Sequence, residues 1–334
     1  MIKNNKHFAV YGANGHTGNF VVAELLRRGL PVVAVGRDIS NVPAGVTARI
    51  ASIDDAAALD RAFAGCAVVI NCAGPFLDTA SPIVEAALRV GCAYLDVTAE
   101  QASALSIFER YDERARAAGV AVIPAAGFYG GLADLLASAL VGDRAVQNMT
   151  VAIALDHWWP TRGTRQTGER NRVPRVVLEN GNLVPMALPA AKTEWTFDSP
   201  HGVQEMEEMP FSEIITISRH LQVRNLRAYL NTASLRDVRD SATPPPVAID
   251  TIGRSAQNFV MEVVAHDNTG SRRARARGQD IYAVTAPLVV EAAARMLQPS
   301  FARSGAFTLG EVFDAADFLR SFKPEQLMFE LDAA

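Results

Sequence analysis

Gly12-Ala13-Asn14-Gly15-His16-Thr17-Gly18 is the stretch whose reading decides the fold. It follows a short apolar run at residues 8–11. It precedes an amphipathic segment in which Phe20, Val21, Val22, Leu25 and Leu26 form one stripe, with Gly29 and Pro31 as stop signals. Glycines so spaced let a backbone turn tightly and approach a pyrophosphate, whose charge is held by free amides at the start of a helix. A glycine triplet alone says little. Between a strand and a helix, at the head of a βαβ series, it reads as a dinucleotide-binding loop.

Outward from the loop, apolar runs rich in Val and Ile at residues 8–11, 31–35, 46–50, 67–72, 93–97 and 120–124 alternate with longer helical patterns. Such alternation marks parallel βαβ units, and runs that are apolar throughout predict helices on both faces of the sheet. The expected fold class is α/β, a Rossmann-type doubly wound parallel sheet. Residues 102–118 carry many charges and read as a solvated outer helix. After about residue 145 the texture becomes β-like, at 149–155, 175–179, 194–197, 213–219 and 259–266, which predicts a second, sheet-rich domain. SATPPP at 241–246 is a stiff connector. Helical patterns return from Asp280, over 284–297 with Thr285 as cap candidate and Pro287 in the first turn, and over 309–322.

The chain has 334 residues, room for two domains at roughly 100 to 200 residues each. Hydrophobic residues at 49% and charged residues at 20% place it among globular proteins, away from disordered chains. With 32 Lys and Arg against 36 Asp and Glu it lacks the cation excess of a nucleic-acid binder. Cys66, Cys72 and Cys92 are odd in number, unpaired in spacing and set in apolar segments, so they read as reduced core thiols. Scattered histidines without HExxH predict no metal site, and no GxSxG elbow occurs. The first apolar run is too short for a signal peptide, and the apolar stretch 120–142 is broken by Pro124, Gly127, Gly130, Gly131 and Asp134. A cytoplasmic protein without membrane or nucleic-acid partners is expected.

The second run ends Val35-Gly36-Arg37-Asp38, about 20 residues beyond the loop. There an acidic side chain would bind a ribose 2′-hydroxyl and an arginine would hold a 2′-phosphate. Arg37 after glycine puts NADP(H) ahead of NAD(H), with Asp38 as the group that could serve NAD(H) instead. Ligands of open parallel sheets lie beyond the carboxyl ends of the strands. Those ends carry Ser52, Ile53 and Asp54, placed to flank adenine, then Cys72, Ala73, Gly74, Pro75 and Phe76, then Asp96, Thr98 and Glu100, and finally Gly127, Phe128 and Tyr129. The Ala73-Gly74-Pro75 turn would bring backbone toward the nicotinamide half. Thr98 suits a helix cap as well as a cofactor contact.

Four blocks, GANGHTG with GRD, NCAGPF, YLDVTAE with PAAGF, and GQDIYAVTAP with TLGEVFDAADFL, together resemble the saccharopine dehydrogenase-like NADP-binding oxidoreductases, including the branch that holds trans-acting enoyl reductases. The middle of the chain, about 145 to 260, matches least well. The resemblance implies a discontinuous nucleotide domain, 1–144 with helices returning in 280–334, and an inserted α/β domain at 145–279 over the active-site cleft. It also implies NADP(H) and admits a homodimer. His16 stands where the family usually has an aromatic residue, Ala126 replaces a cysteine of the saccharopine-forming members, and Tyr129-Gly130-Gly131-Leu132 replaces the family's Asp, Ser and later Pro.

Hydride transfer needs an aligned nicotinamide and often an acid. The candidate acids are Tyr129, Glu100 and His157, the last beside Trp158 and Trp159, which could line a pocket for a small-molecule substrate. Each also has a structural reading, as packed aromatic, cap and turn histidine. Arg272, Arg273, Arg275 and Arg277 read as the solvated face of a strand, with a role in holding an anionic substrate tail as the alternative. The function expected is oxidation or reduction of a C=N or C=C bond, with a non-catalytic NADP(H) sensor as the rival.

Overall fold

Each apolar run of the first part becomes a strand and each interval between them that carries a helical pattern a helix, in a computed structural model that describes residues 7–39 and 42–332. The part of the signal-peptide reading that concerns residues 1–6 falls outside the described residues. The elements in chain order are β1 (His7–Tyr11), α1 (His16–Arg27), β2 (Val32–Gly36), β3 (Thr47–Ile50), α2 (Ala56–Phe63) and β4 (Cys66–Asn71). They continue with α3 (Phe76–Val90), β5 (Ala93–Asp96), α4 (Gln101–Ala118), β6 (Ala121–Ile123), a π-helix (Phe128–Leu132) and α5 (Ala133–Val141). The strands pair in parallel in the order β6-β5-β4-β1-β2-β3, with Phe8 opposite Val32 and Val10 opposite Ile70. β2 is buried along its whole length, as a strand covered on both faces must be.

The second part contains β7 (Val146–Leu155), α6 (Arg162–Arg170), β8 (Val176–Glu179), β9 (Asn182–Pro185), β10 (Lys192–Thr196) and β11 (Val203–Glu208). Then come α7 (Glu213–His220), β12 (Val223–Asn231), α8 (Thr232–Arg239), β13 (Asn258–Asp267) and β14 (Gly270–Gln279). The last described elements are α9 (Thr285–Met296), β15 (Gly305–Ala306), α10 (Leu309–Val312), α11 (Ala315–Arg320) and β16 (Met328–Leu331). A mixed sheet runs β10-β11-β12-β7-β13-β14-β16, while β15 adds to the first sheet beside β6. The α/β class with a parallel Rossmann-type sheet and a second, sheet-rich unit is therefore observed, with one strand more in the first sheet than the apolar runs predict.

One apolar cluster joins the two sheets, from Phe8, Val10 and Ile70 through Leu132, Leu135 and Leu136 to Val151, Ile153 and Met261. Helix α5 is thus shared core, and His220 on α7 is bonded to its buried Asp134 at 2.6 Å.

Four expectations need correction. The helical pattern over 309–322 is two short helices, α10 and α11, parted by extended Phe313 and Asp314, whose side chain caps α11. Residues 213–219 form a helix, not a strand: Ile214, Ile215 and Ile217 are buried there, and α7 packs on the π-helix and α5. Thr285 does not cap α9, whose N-cap is Val284; its hydroxyl donates to the Ile281 carbonyl at 2.9 Å and accepts the Phe128 N–H at 3.2 Å. The arginine run is indeed on a strand, but Arg275 is mostly buried and pairs at 2.7 Å with Glu262, which is fully buried.

Candidate functional site

β1 hands the chain to the glycine loop at the carboxyl end of the sheet. The Gly12 N–H donates to the Val35 carbonyl at 2.8 Å and the Gly15 N–H to the Gly12 carbonyl at 2.9 Å, which folds the loop back on itself. Gly12 has a φ of +80°, a conformation that other residues rarely adopt. A β-carbon on Gly18 would lie 2.1 Å from the Gly12 carbonyl oxygen, and one on Gly12 would lie 2.9 Å from the Ala73 methyl. Helix α1 begins behind Gly15, and no side chain caps it. Its first-turn amides are therefore available to an anion. Asn14 Nδ2 donates to the Asp38 carbonyl at 2.8 Å, tying the loop to the end of β2, while Asn14 Oδ1 is buried without a partner. A cradle that side chains would fill, uncapped amides and an orphaned polar atom together fit a pyrophosphate.

Residues expected on the adenosine side, Arg37, Ile53 and Asp54, gather around Tyr11. Burial raises its phenol pKa, and the charges of Arg37 and Asp54 act on it in opposite directions, Arg37 lowering and Asp54 raising. Arg37 is exposed at the end of β2. Ser52 Oγ lies 3.3 Å from Asp54 Oδ2, and the Tyr11 hydroxyl donates to the Ala51 carbonyl at 3.3 Å. The structure thus brings Gly12 to Gly18, Arg37, Asp54 and Ala73 to one end of the sheet.

At the ends of β4, β5 and β6 a buried polar chain holds the turns. Asn71 Nδ2 donates to Tyr94 at 3.2 Å, Tyr94 donates to Asp96 at 2.9 Å, and Asp96 also accepts the N–H groups of Thr98 and Ala125 at 3.0 and 2.8 Å. Burial pushes the Asp96 carboxyl up to about 6 against these donors. Thr98 is not a side-chain cap of α4; its Oγ1 accepts the Glu100 N–H at 3.0 Å. Burial, with Asp96 adding to it, carries the Cys72 thiol well above its ordinary range. Gly127 is packed between Val97 and Thr285, and Phe128 turns its ring into the core against Phe259, centroids 4.8 Å apart.

The three candidate acids are not brought together. Both carboxylate oxygens of Glu100 accept backbone N–H groups at the start of α3, from Phe76 at 2.7 Å and Leu77 at 3.2 Å, so this side chain is the missing cap of that helix. His157 is 57% exposed, lies 3.6 Å from Asp237 and stacks on Trp159. Tyr129 is buried in the π-helix, stacked on Phe211 with centroids 4.1 Å apart, and its hydroxyl has no partner.

Sequence reasoning missed Glu213 and Arg175, which meet at the same Phe211. Glu213 Oε1 accepts the Phe211 N–H at 2.8 Å while Oε2 is buried and unpartnered, and Arg175 lies 4.7 Å from the ring centroid. Ser212 beside it donates to the Thr98 carbonyl at 3.0 Å, which places the start of α7 at the end of β5. Burial pushes the Glu213 carboxyl up to about 7, with the Phe211 amide and Arg175 opposing. The signal available was an acid at the head of an isoleucine-rich segment, masked by reading that segment as a strand. Because the folded state keeps a proton that the unfolded chain has released, this group makes stability fall as pH rises from about 4.5 to about 7. Glu213→Gln is expected to flatten the part of that slope lying between about pH 6 and 7 in urea melts. An unchanged slope would remove Glu213 as its source.

Helix α6 lies over the turn between β4 and α3. Thr167 Oγ1 would stand 2.8 Å from a β-carbon on Gly74, Arg170 pairs with Asp78 on α3 at 2.8 Å, and Thr164 is bonded to Tyr282 at 2.9 Å. Among the described residues no cluster of three or more His, Cys, Asp or Glu could hold a metal ion, and no helix is long and apolar enough to cross a membrane.

Fold and loop define a dinucleotide-binding α/β protein, and residues 12–101 match the NAD(P)H-binding family. The chain is 28% identical over 153 residues to the saccharopine dehydrogenase-like oxidoreductase of Bos taurus, covering 39% of this chain and 36% of that protein. A probable mitochondrial saccharopine dehydrogenase-like oxidoreductase of Arabidopsis thaliana is 28% identical over 140 residues, 36% of this chain and 31% of that protein. The matches thus span about a third of the length of these curated relatives. Apo saccharopine dehydrogenase (L-Glu forming) of Saccharomyces cerevisiae shares the fold, with a TM-score of 0.67 over 98% of this chain and 100% of that one at 12% identity. Over the matched residues the chain is similar to the saccharopine dehydrogenase-like oxidoreductases, the family that the sequence blocks resemble.

Proposed function

We propose that the protein is an NADP(H)-dependent oxidoreductase that moves a hydride to or from a C=N or C=C bond of a small molecule in the cleft under α6. The observation that carries this reading is the uncapped start of α1 in the glycine cradle, with Arg37 at one end and the second unit folded over the other. When bound, the nicotinamide supplies the hydride chemistry. The residues Gly12, Ala13, Asn14, Gly15, His16, Thr17 and Gly18 would hold its pyrophosphate, Arg37 its 2′-phosphate, Ser52 to Asp54 its adenine side, and the turn from Cys72 to Phe76 with Thr98, Gly127 and Phe128 its nicotinamide side. In this reading residues 1–144 and 280–334 act as the nucleotide domain around an insert at 145–279, except that β16 at 328–331 pairs with β14 of the insert. The proposal includes a homodimer in the cytoplasm.

Consumption of NADPH in a screen of imines, keto acid plus amine pairs and enoyl thioesters tests the activity. The non-catalytic sensor is kept as the second reading because Glu100 is spent on a helix cap, His157 faces solvent and the Tyr129 hydroxyl is buried. Tight NADPH binding without turnover across the screen would decide for it. Arg37→Ala is expected to weaken NADPH at least about 10-fold, since a charge-assisted pair with the 2′-phosphate is lost, and to leave NADH nearly unchanged. Equal losses for both cofactors in binding titrations would sink the 2′-phosphate assignment.

A further inference from the structure

The anion cradle contains one titratable ring, His16, on the first residue of α1. Its imidazole stands edge-on to Phe20, one turn along the helix, and to Tyr282, with centroids 5.3 and 5.2 Å away. Nε2 is buried and has no hydrogen-bond partner. The charged or titratable groups that face the ring come from the segment before α9, namely Asp280 and Tyr282. Both are already engaged. The Asp280 carboxylate accepts the N–H groups of Ser255, Tyr282 and Ala283, and the Tyr282 hydroxyl meets Trp158 Nε1 and Thr164 Oγ1. In the free protein burial therefore lowers the pKa of His16 despite Asp280, and the ring is neutral at neutral pH.

We propose that His16 takes up a proton when a pyrophosphate settles on the start of α1, so that dinucleotide binding is coupled to protonation of this loop. The inference rests on the reading of the loop as a dinucleotide site. Its physical basis is position: the residue whose own amide faces the phosphates carries the imidazole, in surroundings that screen charge poorly, so an arriving anion favours the cationic ring. The protonated ring then carries N–H donors on both nitrogens, the unpartnered Nε2 among them. An aromatic residue at this position, as in the resembled family, packs in the same way and cannot make the exchange. Loss of affinity with rising pH follows, up to about 10-fold per pH unit, the limit for one linked proton.

Isothermal titration of the full chain with NADH, and then NADPH, in Pipes and in Tris at the same neutral pH measures the proton directly from the difference in binding heat. NADH removes any titration of the 2′-phosphate. The wild type is expected to take up as much as one proton, and His16→Phe, which keeps the ring packing, none. His16→Gln is the second variant and should also bind without uptake. Binding by the wild type with no proton uptake, or uptake undiminished in both variants, overturns the proposal. Failure of the wild type to bind either dinucleotide overturns the reading on which it rests, and is distinguishable because no binding heat is seen.

Discussion

Gly18→Ala is expected to lower NADPH affinity by roughly 100-fold or more, close to 3 kcal/mol, and to take about 5 °C off the melting temperature. The new β-carbon would lie 2.1 Å from the Gly12 carbonyl oxygen, 2.9 Å from the Gly12 carbonyl carbon and 3.0 Å from Ala13 Cα. All three are backbone atoms, so no side-chain rotation relieves the contact. The loop must swing away from α1, and the amides proposed to hold the pyrophosphate go with it. A folded Gly18→Ala protein that binds NADPH like the wild type would show that the cradle is not the site.

Asp96→Ala is expected to be the most destabilising single change at the strand ends, costing about 3–4 kcal/mol in denaturant melts. The carboxylate accepts from Tyr94, Thr98 and Ala125, and the alanine would leave two buried backbone N–H groups without an acceptor. Ala125 has a φ of +56°, so the same carboxylate also holds a residue in an unfavourable conformation just before Gly127. Asp96→Asn separates charge from geometry. Oδ1 takes both amides, and the asparagine should therefore recover most of the loss. With the wild-type carboxyl pushed up to about 6, stability falls as pH rises from about 3.8 to about 6, and the asparagine variant should lose that part of the slope. Equal stability of the alanine and asparagine variants would show that the amide contacts contribute nothing.

The nucleotide half was legible because its signals are local. β1, the glycine loop and α1 follow one another within 21 residues, 7–27, and their order alone implies the cradle. Elsewhere the determinants are distant. Helix α6 has no buried residue, so no apolar period announces it; its Thr161 cap and the Arg170 pair to Asp78 hold it in place. Glu100 reads from sequence as acid or cap alike, and only its return to the start of α3, where the Phe76 and Leu77 amides need an acceptor, decides for the cap. Glu213-Ile214-Ile215-Thr216-Ile217 carries β-branched residues that suit a strand, and packing on the π-helix decided otherwise. β15 spans two residues and is below any pattern.

That short strand bears on how the protein is made. β15 joins the first sheet at its β6 edge and β16 joins the second at its β14 edge, so each sheet receives an outer strand from the last thirty residues or so that are described. A ribosome that has synthesised the whole glycine loop and all six earlier strands still holds a sheet with β6 at its edge, and β14 stays at the edge of the second sheet until Leu331 has emerged. Such edges invite pairing with other chains during synthesis. The late strands therefore exchange the β6 and β14 edges for shorter ones of two and four residues, and a C-terminal truncation that removes them would uncover the longer edges again.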